Sequence, residues 1–228
     1  MLSCRLAMAL PLFLVGSCLS QDKRGVDQTV ALPLVQKILS GAQISGSLEY
    51  WGVCDISKPR SEFPELRPVS GREGSALGAL QEMFADDAKM RVTQDSDGRI
   101  RMVETDVPQD LLELRIHHLS FLSEYHGPRM ALMAILRSQE VMQFITDHNI
   151  VPKEGWGLPS DAGFIHKPSV TGELNDVTVA QALDYILQTF PGFWVYQNCY
   201  DREGKRRVSF GFLDNIPVVS GSPLPKTK

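Results

Sequence analysis

Apolar residues recur at helical spacing in three parts of the chain, and each part contains a similar six-residue stretch. These stretches, "ALQEMF", "ALMAIL" and "ALDYIL", begin at Ala79, Ala131 and Ala182, so their starts are 52 and 51 residues apart. Apolar helices often produce such a pattern by chance. The elements that precede and follow each stretch therefore decide whether it marks a structural repeat.

The last stretch lies in the clearest helix signal. Thr178 and Gln181 fit a capping box, in which each side chain bonds the backbone N–H of the other residue. Pro191 and Gly192 end the helix. Between these ends the apolar residues fall on one side of the helix, at Val179, Ala182, Leu183, Ile186, Leu187 and Phe190.

Strand signals surround this helix. The stretch "SVTGEL" before it is typical of a short strand, and Val208, Phe210 and Phe212 alternate with smaller residues after it. Glu203-Gly204 lies where a hairpin would turn. The predicted order over residues 165–214 is therefore strand, helix, hairpin.

The first stretch has the same surroundings, over residues 40–107. A strand interrupted by Gly46 is predicted from "QISGSLEYWGV", and Asp97-Gly98 between two alternating runs is a strong hairpin signal. The Pro- and Arg-rich segment "DISKPRSEFPELRPVSGREG" precedes the helix. The helix itself has an apolar face at Leu77, Leu80, Met83 and Phe84.

The middle stretch, within residues 108–151, is a partial copy. A strand is predicted from "DLLELRIHHLSFL", although its first residues could form a short helix. Pro128 opens a helix that bends or restarts near Ser138, and a loop replaces the hairpin. Together the patterns predict an α+β fold of repeated strand–helix–hairpin units, with helices packed on small mixed sheets. We expect residues 215–228 to form a disordered tail.

The segment "LNDVTVAQALDYIL", residues 174–187, with the aromatic hairpin after it, resembles the short N-terminal domain shared by secretins and TonB-dependent receptors. Residues 75–102 resemble it more loosely. The resemblance implies a periplasmic, non-enzymatic module that docks onto other proteins in secretion, uptake or signalling. No secretin pore domain, receptor barrel or plug fits after Phe212, so we expect a free-standing relative to which neither family's overall role transfers.

Residues 1–20 have the form of a secretory signal. Arg5 precedes the apolar run "LAMALPLFLVG", which is followed by small residues and then by the polar "SQDKRG". The apolar run is too short to span a membrane as a helix. Pro11 argues against the alternative, a buried N-terminal helix.

The signal can end in either of two ways. The stretch "VGSC" resembles a bacterial lipobox, which would make Cys18 the lipidated first residue of a membrane-tethered protein. The alternative is cleavage after Ser20, which would release the chain without a lipid. The sequence favours the lipobox, and both endings predict an exported, periplasmic or lipid-anchored protein.

Composition narrows the classes of function further. A net charge of −4 gives no reason to expect nucleic acid as a partner. The sequence has no Gly-x-Ser-x-Gly elbow, no phosphate-binding glycine-rich loop and no His-Glu-x-x-His motif. Its cysteine and histidine spacing does not fit a zinc site. We therefore expect no catalysis, no metal and no cofactor.

Export changes how the cysteines are interpreted. Cys4 leaves with the signal and Cys18 is lipidated or removed, so Cys54 and Cys199 remain in an oxidising compartment. If the first and last units close on one sheet, these two cysteines can form a disulfide. The alternative is that each is a small buried hydrophobic residue in its own unit.

Two kinds of binding function fit these observations. The first is a cell-envelope docking or accessory protein that binds an envelope protein partner. The second is a periplasmic binder of a saccharide or peptide, with an aromatic-lined groove formed by Trp51, Trp156 and Trp194. Without such a groove these tryptophans are core or edge residues.

Overall fold

The computed structural model describes residues 28–52, 74–122, 127–152 and 169–214. The helices are α1 (Gln28–Ala42), α2 (Ala76–Met83), α3 (Pro128–Leu136), α4 (Gln139–Asp147) and α5 (Val179–Thr189). The strands are β1 (Gly46–Trp51), β2 (Met90–Gln94), β3 (Ile100–Glu104), β4 (Arg115–Phe121), β5 (Val151–Pro152), β6 (Gly172–Thr178), β7 (Gly192–Tyr200) and β8 (Arg206–Asp214). The predicted α+β class is confirmed.

Six strands form one mixed sheet in the order β2-β3-β1-β7-β8-β5. β1 lies inside this sheet, parallel to β3 on one side and to β7 on the other. Both predicted hairpins are present, since β2 pairs antiparallel with β3 and β7 pairs antiparallel with β8. Their turns contain Gly98 and Gly204, whose φ angles of 80° and 73° suit glycine.

The other two strands, β4 and β6, form a separate antiparallel sheet. The leading strand of the last predicted unit therefore lies outside the sheet that holds its own hairpin. By contrast, β1 pairs with the hairpin of its own unit. The two units agree in the order of their elements but differ in strand pairing. β6 also begins later than "SVTGEL" predicts and continues to the helix cap, Thr178.

The six-stranded sheet is covered on both faces. Side chains along β7 alternate between two cores: Phe193 and Val195 pack with α1 and α2, whereas Trp194 and Tyr196 pack with α3, α4 and α5. Helix α1 was not predicted from the sequence, and it supplies Leu32, Val35 and Leu39 to the first of these cores. None of the described helices is long and apolar enough to cross a membrane.

Helix α5 forms as predicted. Thr178 and Gln181 make both bonds of the capping box, and the whole predicted apolar face is buried. In the middle unit, α3 ends at Leu136 and α4 restarts with Ser138 as its N-cap.

β1 is buried on both faces, as a central parallel strand should be. Leu48 and Tyr50 belong to the core beneath α1 and α2, and Ser47 and Glu49 point to the opposite face. Gly46 permits the close approach of β3, because a Cβ atom there would lie 2.2 Å from the carbonyl oxygen of Ile100.

Candidate functional site

The carboxyl ends of three neighbouring strands meet at one edge of the sheet. β1 is parallel to both β3 and β7, and the three strands end at Trp51, Glu104 and Tyr200. In open sheets of parallel strands, ligands bind outside the carboxyl ends. This edge is therefore the candidate site.

An aromatic pair lies at this edge, and one of its two rings is exposed. The rings of Trp51 and Tyr200 stack with centroids 5.3 Å apart and planes 25° from parallel, and Tyr200 is 58% exposed. The backbone N–H of Trp51 donates to the Glu104 carboxylate (2.7 Å), and its indole N–H donates to the Asp106 carbonyl (3.0 Å). We name these two rings the aromatic platform. Its geometry is fixed by bonds at both the backbone and the ring of Trp51.

A charged and polar layer lies beside the platform. Arg206, the strand partner of Tyr200, donates to both carboxylate oxygens of Asp110 (2.6 and 2.7 Å). It also donates to the side-chain oxygens of Asn198 (2.8 Å) and Tyr196 (2.9 Å). The hydrogen bond from Arg206 is the main reason that the pKa of Asp110 lies below its usual value. The guanidinium thus ties the hairpin to the segment that follows β3.

Two carboxyl groups near this edge are buried. Burial raises the pKa of Glu49, although hydrogen bonds from Gln109 (2.9 Å) and Ser47 (3.2 Å) oppose this shift. Burial also raises the pKa of Glu104, against the bond from the Trp51 N–H. Glu49 alternates with Leu48 and Tyr50 along β1, and such alternation is typical of a solvent-facing side chain, whereas Glu104 shares the apolar side of β3 with Ile100 and Met102. Within the described ranges, no group of three or more His, Cys, Asp or Glu residues could hold a metal ion.

The three tryptophans do not share one surface. Trp194 is fully buried and donates its indole N–H to Asp184 (2.9 Å), so it takes the alternative role of a core residue. Trp51 lies opposite Asn198 of β7. Asn198 is four residues beyond Trp194 on that strand, which is about 13 Å at the usual strand rise. Trp156 lies outside the described residues. Tyr200 is not predicted as a site residue from the sequence, because the end of a hairpin strand gives no sign of which side chains stay exposed.

Cys18 and Cys54 also lie outside the described residues. Cys199 is buried on β7. It directly follows Asn198, whose backbone carbonyl accepts the N–H of Gly52 (2.7 Å). The condition for the predicted disulfide, that the first strand and the final hairpin share a sheet, is met by the pairing of β1 with β7. The bond between Cys54 and Cys199 stays a prediction.

Comparisons with known proteins do not assign this chain to a family. No protein-family model, no curated protein and no solved structure matches the chain. The likeness to the secretin and receptor domain therefore rests on the residues that suggest it.

Proposed function

We propose that this protein is a non-enzymatic accessory protein of the cell envelope that docks onto a partner protein through the aromatic platform. The observation that carries the proposal is the stacked pair of exposed Tyr200 and half-buried Trp51, which hydrogen bonds hold in place. Tryptophan and tyrosine are enriched among residues that dominate binding energy. Rings held in place before binding also lose little conformational freedom when a partner arrives.

The charges around the platform favour a protein partner. Asp110 pairs with Arg206, and Lys89 pairs with Asp106 (2.8 Å). An apolar or aromatic centre with a polar rim is the usual composition of a protein interface. A small-molecule pocket instead needs several polar groups that converge on the ligand. The charged groups of these two ion pairs are already bonded to each other.

The envelope location rests on the sequence of residues 1–20 and on Cys18. A lipid on Cys18 would tether the folded part to a membrane by the polar residues that follow the signal. The docking surface would then meet partners that lie in or near the same membrane. The similarity of residues 174–187 to a periplasmic docking domain points in the same direction.

In-cell photo-crosslinking tests the proposal. A photoreactive amino acid at position 200 should link the protein to one envelope protein, whereas the same residue at Gln188, exposed on α5, should not. Tyr200→Ala should then weaken binding of the purified partner by about tenfold or more. Equal crosslinking from both positions, or none from position 200, would contradict docking at the platform.

The second candidate is a binder of saccharides or peptides. The same stacked pair favours it, because sugar rings and peptide side chains pack on exposed aromatic faces. Trp fluorescence of the purified protein provides the test. A saturable shift with a small saccharide or short peptide, lost in Tyr200→Ala, would support this candidate over protein docking.

A further inference from the structure

We propose that two copies of this chain associate through β2, as an antiparallel pair of strands centred on Val92. β2 lies at one edge of the six-stranded sheet, and among the described strands it pairs only with β3. β3 lies between β2 and Trp51 of β1, and both β3 and β1 lie between β2 and Tyr200 of β7, so the outer edge of β2 is distinct from the aromatic platform. The inference does not depend on the proposed function.

The bonds at the two ends of the β2–β3 ladder fix which backbone groups face outward. The N–H of Asp95 donates to the carbonyl of Arg99, and the N–H of Thr105 donates to the carbonyl of Lys89, each at 2.9 Å. Bonded and non-bonded pairs alternate along an antiparallel ladder. Residues of β2 with odd numbers therefore bond to β3, and residues with even numbers direct their N–H and C=O groups to the outer edge.

Only some of the outward backbone N–H and C=O groups of β2 are hydrogen-bonded. The N–H of Met90 donates to the carbonyl of Asp87 (3.2 Å), and the carbonyl of Val92 accepts from the side-chain amide of Gln81 (3.2 Å). In the described part of the chain, the Val92 N–H, the Met90 carbonyl and both backbone groups of Gln94 have no partner. Such an edge is a template for another strand.

The edge complements itself. In an antiparallel pair centred on Val92, each Val92 exchanges N–H and C=O bonds with Val92 of the second copy. Each Gln94 N–H then meets the Met90 carbonyl of the other copy, whereas the Gln94 carbonyl gains no bond, because the Met90 N–H opposite it already donates to Asp87. Arg91 faces Thr93 of the second copy, and no like charges lie directly opposite. These matches are the reason to name a second copy as the occupant.

The side chain of Gln81 occupies one of the outward backbone groups of β2. Its side chain is exposed on α2 and covers the Val92 carbonyl in the single copy. The hydrogen bond from this amide must break before the Val92 carbonyl can bond to a second copy, so Gln81 competes with association. Gln81→Ala removes the competitor and should tighten the dimer several-fold.

Association can be measured by sedimentation of the mature chain over a wide range of concentrations. A short strand pair is a small interface, so we expect a dissociation constant of about a micromolar or weaker. Val92→Pro removes an N–H that the β3 ladder does not use, and it should weaken the dimer by about tenfold or more. Val92→Thr keeps that N–H and should leave the dimer intact. Circular dichroism checks that both variants fold.

A crosslink tests the register. In a bonded antiparallel pair the two alpha carbons lie about 5.5 Å apart, within the range of about 4.4–6.8 Å that a disulfide needs. Mild oxidation of Val92→Cys should therefore link two copies, whereas Thr93→Cys should not, because Thr93 faces Arg91. Peptide mapping separates this link from bonds of the native cysteines.

Three results would overturn the inference. The first is a monomer at every concentration. The second is a dimer that Val92→Pro leaves unchanged, since the contact would then lie elsewhere. The third is a Val92→Cys variant that links in cells to a different protein and never to itself, since the edge would then take a partner's strand.

Discussion

Arg101 on β3 donates two hydrogen bonds to the carboxylate of Asp184 on α5, a residue 83 positions further along the chain. Asp184 also accepts the indole N–H of Trp194, and Arg101 reaches the carboxylate of Asp95 at 3.2 Å. The side chains of Arg101 and Asp184 are only 19% and 11% exposed. This pair therefore fastens the first hairpin to the last helix in a site with little water.

Removal of one partner from this pair should destabilise the fold. Arg101→Met removes the guanidinium that is hydrogen-bonded to the Asp184 carboxylate and leaves Arg99, at 3.7 Å, as a more distant cation. Loss of one partner of a buried pair costs about 3–5 kcal/mol in comparable cases, and Arg99 should keep this loss near the lower figure. Urea unfolding measures the free energy of unfolding of the variant and of the natural chain. Adding Asp184→Asn to Arg101→Met should cost less than the two single changes together. Strict additivity would mean that the two residues do not interact.

The face of α5 can be tested at two positions. Leu183 is fully buried, so Leu183→Ala should lower the free energy of unfolding by roughly 2–5 kcal/mol. Gln188 is exposed on the same helix, and Gln188→Ala should change it by no more than about 0.5 kcal/mol. Thermal and urea unfolding of both variants provide the comparison. Similar losses for the two would contradict the assigned face.

The buried carboxyl group of Glu49 should make stability depend on pH. Its pKa is raised by burial, so the folded protein holds the proton more tightly than the unfolded chain does. This stabilising contribution is complete below the unfolded pKa of about 4.3 and is lost as pH rises through the folded pKa.

The substituted side chain in Glu49→Gln cannot ionise. The free energy of unfolding of this variant, relative to that of the natural chain, should therefore be higher at pH 7 than at about pH 4. Urea unfolding at both pH values gives the two differences. Glu173→Gln, at an exposed position on β6, is the matched control and should change little at either pH. A Glu49→Gln effect that is independent of pH would refute the role of burial.

We predict a disulfide between Cys54 and Cys199. The parallel register places Trp51 opposite Asn198, and Cys54 follows Trp51 by three positions while Cys199 follows Asn198 directly. A bridge across such a long loop contributes about 4–5 kcal/mol in the chain-entropy model, before strain. Non-reducing peptide mapping of protein from the oxidising compartment reads the bond directly. Free thiols at both positions would contradict it.

The mature protein should begin at a diacylated Cys18. Intact mass spectrometry of the membrane fraction should give the mass of the chain from Cys18 plus the lipid. Cys18→Ser should abolish the lipid mass and release the protein from the membrane. A natural mature chain that starts at Gln21 without lipid would instead show simple cleavage after Ser20.

The features that the sequence predicts well are local. The capping box at Thr178 and the turns at Gly98 and Gly204 depend on residues a few positions apart. The burial of Glu49 is different, because it follows from the parallel neighbours of β1, which lie far away in the chain. Periodicity describes one strand at a time and assigns such an acid to solvent. The exposure of Tyr200 and the pairing of β6 with β4 depend on distant contacts in the same way.

The central place of β1 has a consequence for how the chain folds. The hydroxyl of Ser45, next to β1, accepts the N–H of Gly192, 147 residues later. β1 therefore gains its second neighbour only after the chain has been made as far as β7. Contacts of such long sequence separation slow folding, because a large loop must close before they stabilise anything. The sheet around β1 consequently closes late in folding, after β7 has become available to pair with it.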